Sequence, residues 1–238
     1  RKTTRDIAKA NLAKEGIETE AHSAATSALE VKEGARKVRN SAAFRKGEVE
    51  LQDAASQAAI EMLPEGDLRR VLDYCAGGGG KLLAIAGRNS GSFFAHDANE
   101  QRLRDLPERC KRAGIKAKVL KTAELASAAP FDLVFCDVPC SGSGTWRRDP
   151  DAKWKIDRTS LNNSLKLQSE ILSQAARLVG DGQYLGYATC SLLRSENEDQ
   201  IAQFLAAHSD WEPKYQKRWS PLDSCDGFFT ALLQKPTS

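Results

Sequence analysis

Short apolar runs alternate with amphipathic helical patterns through most of the chain, and this alternation limits the fold more than any other feature. The predicted strands are RRVLDYCA, GSFFAHD, KAKVLKT, FDLVFCD, QYLGYATC and GFFTALLQ. One intervening helix carries Leu161, Leu165, Leu172 and Val179 on a single stripe. Strand runs that are apolar on both faces and separated by helices favour a doubly wound α/β fold with a mostly parallel sheet.

Acids and cysteines lie where these predicted strands end. Asp73, Asp97 and Asp137 stand at the ends of three apolar runs, and Cys140 and Cys190 follow two of them. Open α/β sheets bind ligands beyond the carboxyl ends of their strands. The sequence therefore predicts that these five side chains share one site.

A glycine-rich stretch, DYCAGGGGK, joins the first of these strands to a helix. It is not a P-loop, because Cys75 and Leu82 stand where that motif needs Gly and Ser or Thr. Asp97 lies 20 residues after Gly77, at the place of an acid that binds ribose hydroxyls. A nucleoside-containing cofactor is predicted, and NAD, FAD and S-adenosylmethionine all fit. The alternative is a structural turn with Asp97 as a helix cap.

Composition excludes several classes of protein. The chain has 238 residues, a formal net charge of +3 and 41% hydrophobic residues, without the roughly 20-residue apolar run of a membrane helix. Its six cysteines form no CxxC pair, which argues against a structural zinc site. The sequence shows no signal peptide, so disulfide bonds are not expected. We expect a cytoplasmic protein with reduced thiols, no metal and no membrane contact.

The chain is predicted to divide near Gly47. Residues 1–47 contain a short helix, Thr4 to Glu15, capped by Thr3 or Thr4 and followed by a polar, irregular stretch. Residues 48–238 carry the strand and helix pattern, including a helix from Ser195 to His208 with a predicted capping box, Ser195 and Glu198. Within residues 102–118, seven Lys or Arg accompany two Asp or Glu. That run is either a solvated helix face or a nucleic-acid patch.

Four motifs together resemble one family. DVPCSGSGTWRRDPDAKW, YATCSLLRSENE, ELQDAASQ and DGFF are similar to those of the RsmB/NSUN group of S-adenosylmethionine-dependent RNA cytosine-5 methyltransferases, over about Glu48 to Leu233. The resemblance implies a Rossmann-like class I methyltransferase fold, S-adenosylmethionine as cofactor and RNA as substrate. Ribosomal RNA is the expected substrate, transfer RNA is the alternative, and a monomer is expected. Residues 1–47 resemble the tail of the small α/β RNA-binding module of this family and look incomplete.

The resemblance also implies roles for individual residues. Cys190 is the expected nucleophile toward carbon 6 of cytosine, and Cys140 assists in resolving the covalent adduct. Asp137 is expected to bind the cytosine edge and the cofactor, and Lys81, near both Asp137 and the cofactor, is expected to take part in catalysis and in cofactor binding. The remaining cofactor-binding residues implied are Cys75, Ala76, Gly77, Gly78, Gly79, Gly80, Asp97 and Thr122.

This chain departs from the family pattern at two places. It reads CAGGGGKL where the family usually has CAAPGGK followed by Thr or Ser, so a loop-rigidifying Pro is missing. The third acid that usually holds the adenine amino group aligns with Thr122, and Glu124 is nearby. Two other functions stay open: a DNA cytosine-5 methyltransferase with Cys140 as nucleophile, and a catalytically silent RNA-binding scaffold.

The segment after Cys140 is the predicted RNA contact. Arg147, Arg148, Lys153 and Lys155 can bind phosphates, while Trp146 and Trp154 lie between these cations and can stack on bases. The alternative is that RRDPD forms an internal ion-pair network and that Trp154 packs in the core.

Overall fold

The computed structural model describes residues 2–65 and 68–237 of the chain, so Arg1 and Ser238, the ends of the two predicted domains, lie outside the described residues. The strands are β1 (Glu18–Ala21), β2 (Leu29–Glu33), β3 (Arg70–Asp73), β4 (Ser92–Ala95), β5 (Ala117–Val119), β6 (Phe131–Asp137), β7 (Val179–Thr189), β8 (Glu212–Trp219) and β9 (Phe228–Gln234). Strands β3 to β9 form one sheet in the order β5-β4-β3-β6-β7-β9-β8. Its first five strands are parallel, and β9 runs antiparallel to β7 and β8.

Helices cover both faces of this sheet, as the alternating pattern predicts. They are α1 (Arg5–Ala13), α2 (Ala42–Arg45), α3 (Ala54–Glu61), α4 (Gly80–Ala86), α5 (Leu106–Ala113), α6 (Leu125–Ala128), α7 (Arg158–Ala176) and α8 (Glu198–Ala207). Side chains of α3, α4 and α5 share one buried cluster with the sheet, and those of α6, α7 and α8 share another. The doubly wound, Rossmann-like α/β fold is therefore confirmed. Within the described ranges, no helix has both the length and the apolar character needed to cross a membrane.

The topological switch point lies between β3 and β6. These strands are direct neighbours, with Val71 opposite Leu133, but the chain reaches β4 and β5 on one side before it returns to form β6 and β7 on the other. The connections leaving the carboxyl ends of β3 and β6 diverge there, which opens a crevice. Asp73 and Asp137 are the last residues of these two strands.

One strand of the main sheet was missed, and two local predictions were wrong at element ends. Strand β8 was not predicted, because an edge strand with an exposed, charged sequence has no apolar alternation to reveal it. Val179 is not part of the α7 stripe, since it begins β7 and pairs with Phe131. The Ser195 and Glu198 capping box does not form: a 3-10 turn (Arg194–Glu196) precedes α8, and Asn197 lies at its start.

Residues 2–47 have a small core of their own. Strands β1 and β2 form an antiparallel hairpin that was not predicted, and only the end of β2 falls in the stretch predicted to be irregular, residues 31–50. The predicted Thr4 cap of α1 is confirmed by a hydrogen bond from Ile7 N at 3.3 Å. The buried residues of this core are Leu12, Ile17, Val38 and Ala43, with Val49 packed against them. We call residues 2–47 the N-terminal unit.

Candidate active site

The glycine loop, residues 75–80, turns sharply between β3 and α4. Gly77 and Gly79 have φ angles of +49° and +81°, which only glycine adopts readily. A Cβ atom on Gly79 would also lie 2.2 Å from the Cδ1 atom of Leu106. The backbone N–H of Gly77 donates to Asp97 Oδ2 at 3.0 Å, so the loop is tied to the end of β4.

Asp97 lies where the sequence predicts a ribose-binding acid. Its side chain is buried, its Oδ1 accepts from the N–H of Asn99 at 3.0 Å, and Arg102 approaches its Oδ2 at 3.4 Å. The carboxylate therefore joins the glycine loop to the segment after β4, but it does not cap a helix, because Asn99 is the cap of the 3-10 turn that follows (Glu100–Leu103). It also stands beside the loop, as the cofactor prediction requires.

Thr122 stands next to a buried histidine. Its Oγ1 lies 3.1 Å from His96 Nε2, and His96 Nδ1 lies 2.8 Å from the Tyr74 carbonyl oxygen. Glu124, the nearby acid, accepts instead from the N–H of Lys121 at 2.8 Å. Because Glu124 is engaged in its own turn, Thr122 and His96 are the polar groups at this position.

Asp73, one of the five strand-end residues predicted to share a site, is a buried acid to which the family resemblance assigns no role. Neither of its carboxylate oxygens makes a hydrogen bond of ordinary geometry. Burial, reinforced by the neighbouring charge of Asp137, raises its pKa to about 7, against the opposing effects of Lys81 and of the Leu82 backbone N–H. The sequence signal for its place in the site is the acid that closes RRVLD directly before the glycine loop.

Lys81 and Asp137 form an ion pair across the crevice. Lys81 Nζ lies 2.5 Å from Asp137 Oδ2 and 5.4 Å from the centre of the Phe228 ring. Burial alone would lower the pKa of Lys81, but the adjacent carboxylates of Asp137 and Asp73 raise it above its ordinary value. The ammonium is thus held charged beside two acids, one of which, Asp73, remains unpaired.

The two cysteines of the PC and TCS motifs meet in the same crevice. Cys140 Sγ lies 3.5 Å from Cys190 Sγ, both residues are half-buried, and all six cysteines of the chain are free thiols. The hydrogen bond from Cys140 lowers the pKa of Cys190, and Lys81 acts in the same direction. The same contact raises the pKa of Cys140, together with burial and the charge of Glu196. Cys190 is therefore the thiol more readily ionised, and Cys140 the one that keeps its proton.

A buried glutamate holds the loops that carry these cysteines. Glu196 is 0% exposed, and its carboxylate accepts from Ser141 N at 2.8 Å and from Gln168 Nε2 at 3.0 Å. It also accepts from the hydroxyls of Ser141 and Ser191, both at 2.5 Å. Sequence reasoning missed this role because SENE was assigned wholly to a helix.

The DGFF motif supports the same crevice from the other side. Gly227 N donates to the Gly144 carbonyl oxygen at 2.9 Å, and Gly144 N donates to the Cys190 carbonyl oxygen at 2.9 Å. A Cβ on Gly144 would lie 2.1 Å from the Gly227 oxygen, so the approach of the two backbones requires glycine. Asp226 accepts from Arg148 Nε at 2.6 Å and from Arg147 at 3.3 Å.

The predicted RNA-contacting residues therefore divide into two groups. Arg147 and Arg148 are ion-paired with Asp226, not with the acids of RRDPD. Lys153 and Lys155 are exposed, and Trp154, at 79% exposure, does not pack in the core. Lys153 Nζ lies 4.7 Å from the centre of the Trp154 ring.

The basic run 102–118 is partly structural. Arg109 donates to the Gly78 carbonyl oxygen at 2.6 Å, and Arg112 donates to Glu50 at 2.7 Å. These two arginines are thus bound to the glycine loop and to the segment after the N-terminal unit. The exposed cations of the run are Arg102, Arg104, Lys111, Lys116 and Lys118, of which Arg102 approaches Asp97.

The crevice fits a cofactor that has a positively charged end. S-adenosylmethionine carries an ammonium and a sulfonium, and the unpaired carboxylate of Asp73 is a group that a cation would satisfy. Asp97 and the backbone of the glycine loop lie next to it, where a ribose would be held. Among the residues that the structure describes, no group of three or more His, Cys, Asp or Glu could hold a metal ion.

Comparison with known proteins gives consistent relatives. A family model described as 16S rRNA methyltransferase RsmB/F matches residues 59–234. Ribosomal RNA small subunit methyltransferase B of Proteus mirabilis is 36% identical over 201 residues, covering 81% of this chain and 47% of that protein. The protein of the same name from Klebsiella pneumoniae is 36% identical over 208 residues, covering 81% and 48%. This chain thus spans about half the length of the curated relatives it matches.

Solved structures agree with the family match. PH0851 superposes with a TM-score of 0.87 at 31% identity, covering 98% of this chain and 57% of its own. NSun6 from Pyrococcus horikoshii, solved with SFG, gives a TM-score of 0.75 at 23% identity over 89% of this chain and 60% of its own, which shows the fold. The family match covers more than half of the chain and carries the motifs described above, so the chain belongs to the RsmB/F family of 16S rRNA methyltransferases.

Proposed function

We propose that this chain uses S-adenosylmethionine to methylate carbon 5 of a cytosine in RNA, through a covalent bond between Cys190 and carbon 6. The observation that carries the proposal is the contact between the thiols of Cys190 and Cys140 beside the Lys81 and Asp137 ion pair. This contact lowers the pKa of Cys190 and raises that of Cys140. Ribosomal RNA is the proposed substrate class, in keeping with the names of the relatives.

The residue types suit this chemistry. Carbon 5 of cytosine is a weak nucleophile, and addition of a thiolate to carbon 6 makes it enamine-like; cysteine is both a good nucleophile and a good leaving group. Cys190 acts as that thiolate, because its pKa is the lowered one of the pair. Asp137, held by Lys81, binds the ring nitrogen and amino edge of the cytosine, and Cys140 assists release. The bound cofactor supplies the electrophilic methyl group.

Binding roles follow the same geometry. Asp73, Asp97 and the glycine loop hold the cofactor, with Thr122 and His96 next to its base. The RNA lies over the segment after Cys140, where Lys153 and Lys155 contact phosphates and Trp154 stacks on a base. The target base must leave any helical stack to reach the thiols, so unpaired RNA is the expected form. The N-terminal unit extends the RNA-binding surface.

The first experiment traps the covalent intermediate. RNA containing 5-fluorocytosine is incubated with S-adenosylmethionine and the protein, because fluorine at carbon 5 blocks elimination and an adduct accumulates. Wild type, Cys190→Ala, Cys140→Ala and the control Cys110→Ala are compared by denaturing gel. We expect the adduct in wild type, Cys140→Ala and Cys110→Ala, and no adduct in Cys190→Ala.

The other outcomes assign the other functions. Loss of the adduct only in Cys140→Ala would make the PC cysteine the nucleophile, and a preference for DNA would then indicate a DNA methyltransferase. RNA binding without any adduct, together with no binding of S-adenosylmethionine by calorimetry, would indicate a scaffold.

A further inference from the structure

Glu196 joins three segments of the site through one carboxylate. Its acceptor contacts reach Ser141, which directly follows Cys140, Ser191, which directly follows Cys190, and Gln168 of α7. The serine of each Cys-Ser pair therefore binds the same carboxylate. Gln168 Nε2 also donates to the Pro139 carbonyl oxygen at 2.9 Å, which fixes the residue before Cys140.

Burial of the Glu196 carboxylate destabilises the fold unless each of these hydrogen bonds is made. Glu196 is fully buried, and the donors named above are a backbone amide, two hydroxyls and a side-chain amide, all of them neutral. A buried carboxylate needs several hydrogen bonds to offset its lost hydration. The Glu196 backbone is fixed as well, since the Tyr187 hydroxyl donates to its carbonyl oxygen at 2.6 Å. Both cysteine loops are bound to this carboxylate, which we call the Glu196 anchor. The loops cannot separate without breaking hydrogen bonds to the buried charge of Glu196 or exposing it to solvent.

We propose that Glu196 is a positioning residue that sets the Cys140–Cys190 separation, and that Cys140 can resolve the Cys190 adduct only while this anchor is intact. The proposal rests on the proposed function for its second half. Its first half, the thiol separation, concerns the protein without RNA and is tested independently.

The anchor matters most after the adduct has formed. Once Cys190 is bonded to carbon 6 it no longer carries charge, so the main cause that raises the pKa of Cys140 is removed. Cys140 can then lose its proton to water and take the carbon 5 proton. The C–H electron pair forms the C5–C6 double bond, and the S–C6 pair returns to Cys190 as a thiolate. The step thereby ends with Cys190 as a thiolate and Cys140 as a thiol.

The first test needs no RNA. Alkylation of Cys190 by iodoacetamide, followed by peptide mass spectrometry across pH, reports its thiolate. We expect Glu196→Gln to move the pH midpoint of alkylation upward by about one unit, a tenfold change in the ionisation constant, because the Cys140 hydrogen bond is lost. Cys140→Ala should move it in the same direction. Glu198→Gln, the matched control two residues later, should not move it, since Glu198 is part-exposed and paired with Arg218.

The second test uses RNA with ordinary cytosine and S-adenosylmethionine. At a pH above the alkylation midpoints of both proteins, where Cys190 is ionised in each, Glu196→Gln should form the adduct at close to the wild-type rate but release it about tenfold more slowly, so the adduct accumulates as it should in Cys140→Ala. If the alkylation shift appears and no RNA adduct forms in any variant, the positioning role stands and the proposed function fails. If Glu196→Gln is folded and both alkylation and release match wild type, the positioning role is wrong.

Folding of the variant is checked by circular dichroism and thermal melting. Should Glu196→Gln fail to fold, the double variant Ser141→Ala and Ser191→Ala carries the same two tests. It removes both hydroxyl contacts and leaves the carboxylate and the Ser141 backbone contact in place. An unchanged alkylation midpoint in that variant would overturn the proposal, and an upward shift would support it.

Discussion

Asp73 shows how one residue links the stability of the fold to the chemistry of the site. An acid whose pKa in the folded state, about 7, exceeds its ordinary value of 3.8 binds its proton more tightly when folded. Between about pH 4 and pH 7 the folded chain therefore holds a proton that the unfolded chain has lost, and the free energy of unfolding falls as pH rises. Above pH 7 the buried carboxylate of Asp73 is ionised, and this lowers the free energy of unfolding by the full amount, on the order of 4 kcal/mol.

Asp73→Asn removes this charge and should separate the two roles. We expect urea unfolding at pH 8 to show a variant more stable than wild type, by up to a few kcal/mol, with the difference vanishing toward pH 4. Affinity for S-adenosylmethionine, measured by calorimetry, should fall at the same time. Asp210→Asn, an exposed control, should change neither quantity. Parallel pH profiles for wild type and Asp73→Asn would contradict the argument.

At the scale of elements, the segment between β6 and α7 combines support with contact. Asp226 is buried and holds Arg147 and Arg148, whereas Lys153 and Lys155 are exposed. Removing one arginine leaves a buried carboxylate less well paired, so it should affect stability. Removing a lysine should affect only the attraction of phosphates.

Two matched substitutions test this division. Arg148→Ala should lower the free energy of unfolding by about 1–2 kcal/mol, a value reduced because the arginine itself is largely exposed. Lys155→Ala should leave stability unchanged and reduce the slope of log Kd against log salt for RNA by about one. Thermal melts and filter binding at several salt concentrations measure the two effects. Equal melting temperatures for both variants would contradict the structural role of Arg148.

Elements buried on both faces were the ones that could be predicted from sequence. Strand β6 was predicted with its observed bounds, FDLVFCD. Five of its seven residues are apolar, and Asp137, the acid at the switch point, marks its end. The edge strand β8 and the hairpin of β1 and β2 are exposed, so tertiary pairing rather than local pattern determines them. The same limit applies to Glu196, whose role depends on three segments that are distant in sequence.

Considered as a whole molecule, the chain could be assigned its fold and the residues of its crevice from sequence, since strand ends converge wherever a parallel sheet forms. The contacts that attach the N-terminal unit to the rest of the chain could not be predicted.

Lys2 Nζ donates to the carbonyl oxygens of Lys46 and Arg112, at 2.7 and 2.6 Å. A Cβ on Gly47 would lie 2.1 Å from the Arg112 oxygen, so the unit and the end of α5 touch backbone to backbone. These contacts join charged residues to main-chain atoms, which no periodicity reveals.

Arg109 links the glycine loop to the segment that directly follows the N-terminal unit. Its guanidinium donates to the Gly78 carbonyl oxygen and lies 3.5 Å from Glu50, which also binds Arg112. We therefore expect a ligand that orders the loop to stabilise the docking of the N-terminal unit, and by reciprocity a well-docked unit should raise the affinity for that ligand. Hydrogen exchange of amides 2–47 should slow when S-adenosylmethionine is added. Arg109→Ala should abolish this protection of amides 2–47, while the amides of the glycine loop remain protected. Equal protection of amides 2–47 in both proteins would show that Arg109 does not couple the two regions.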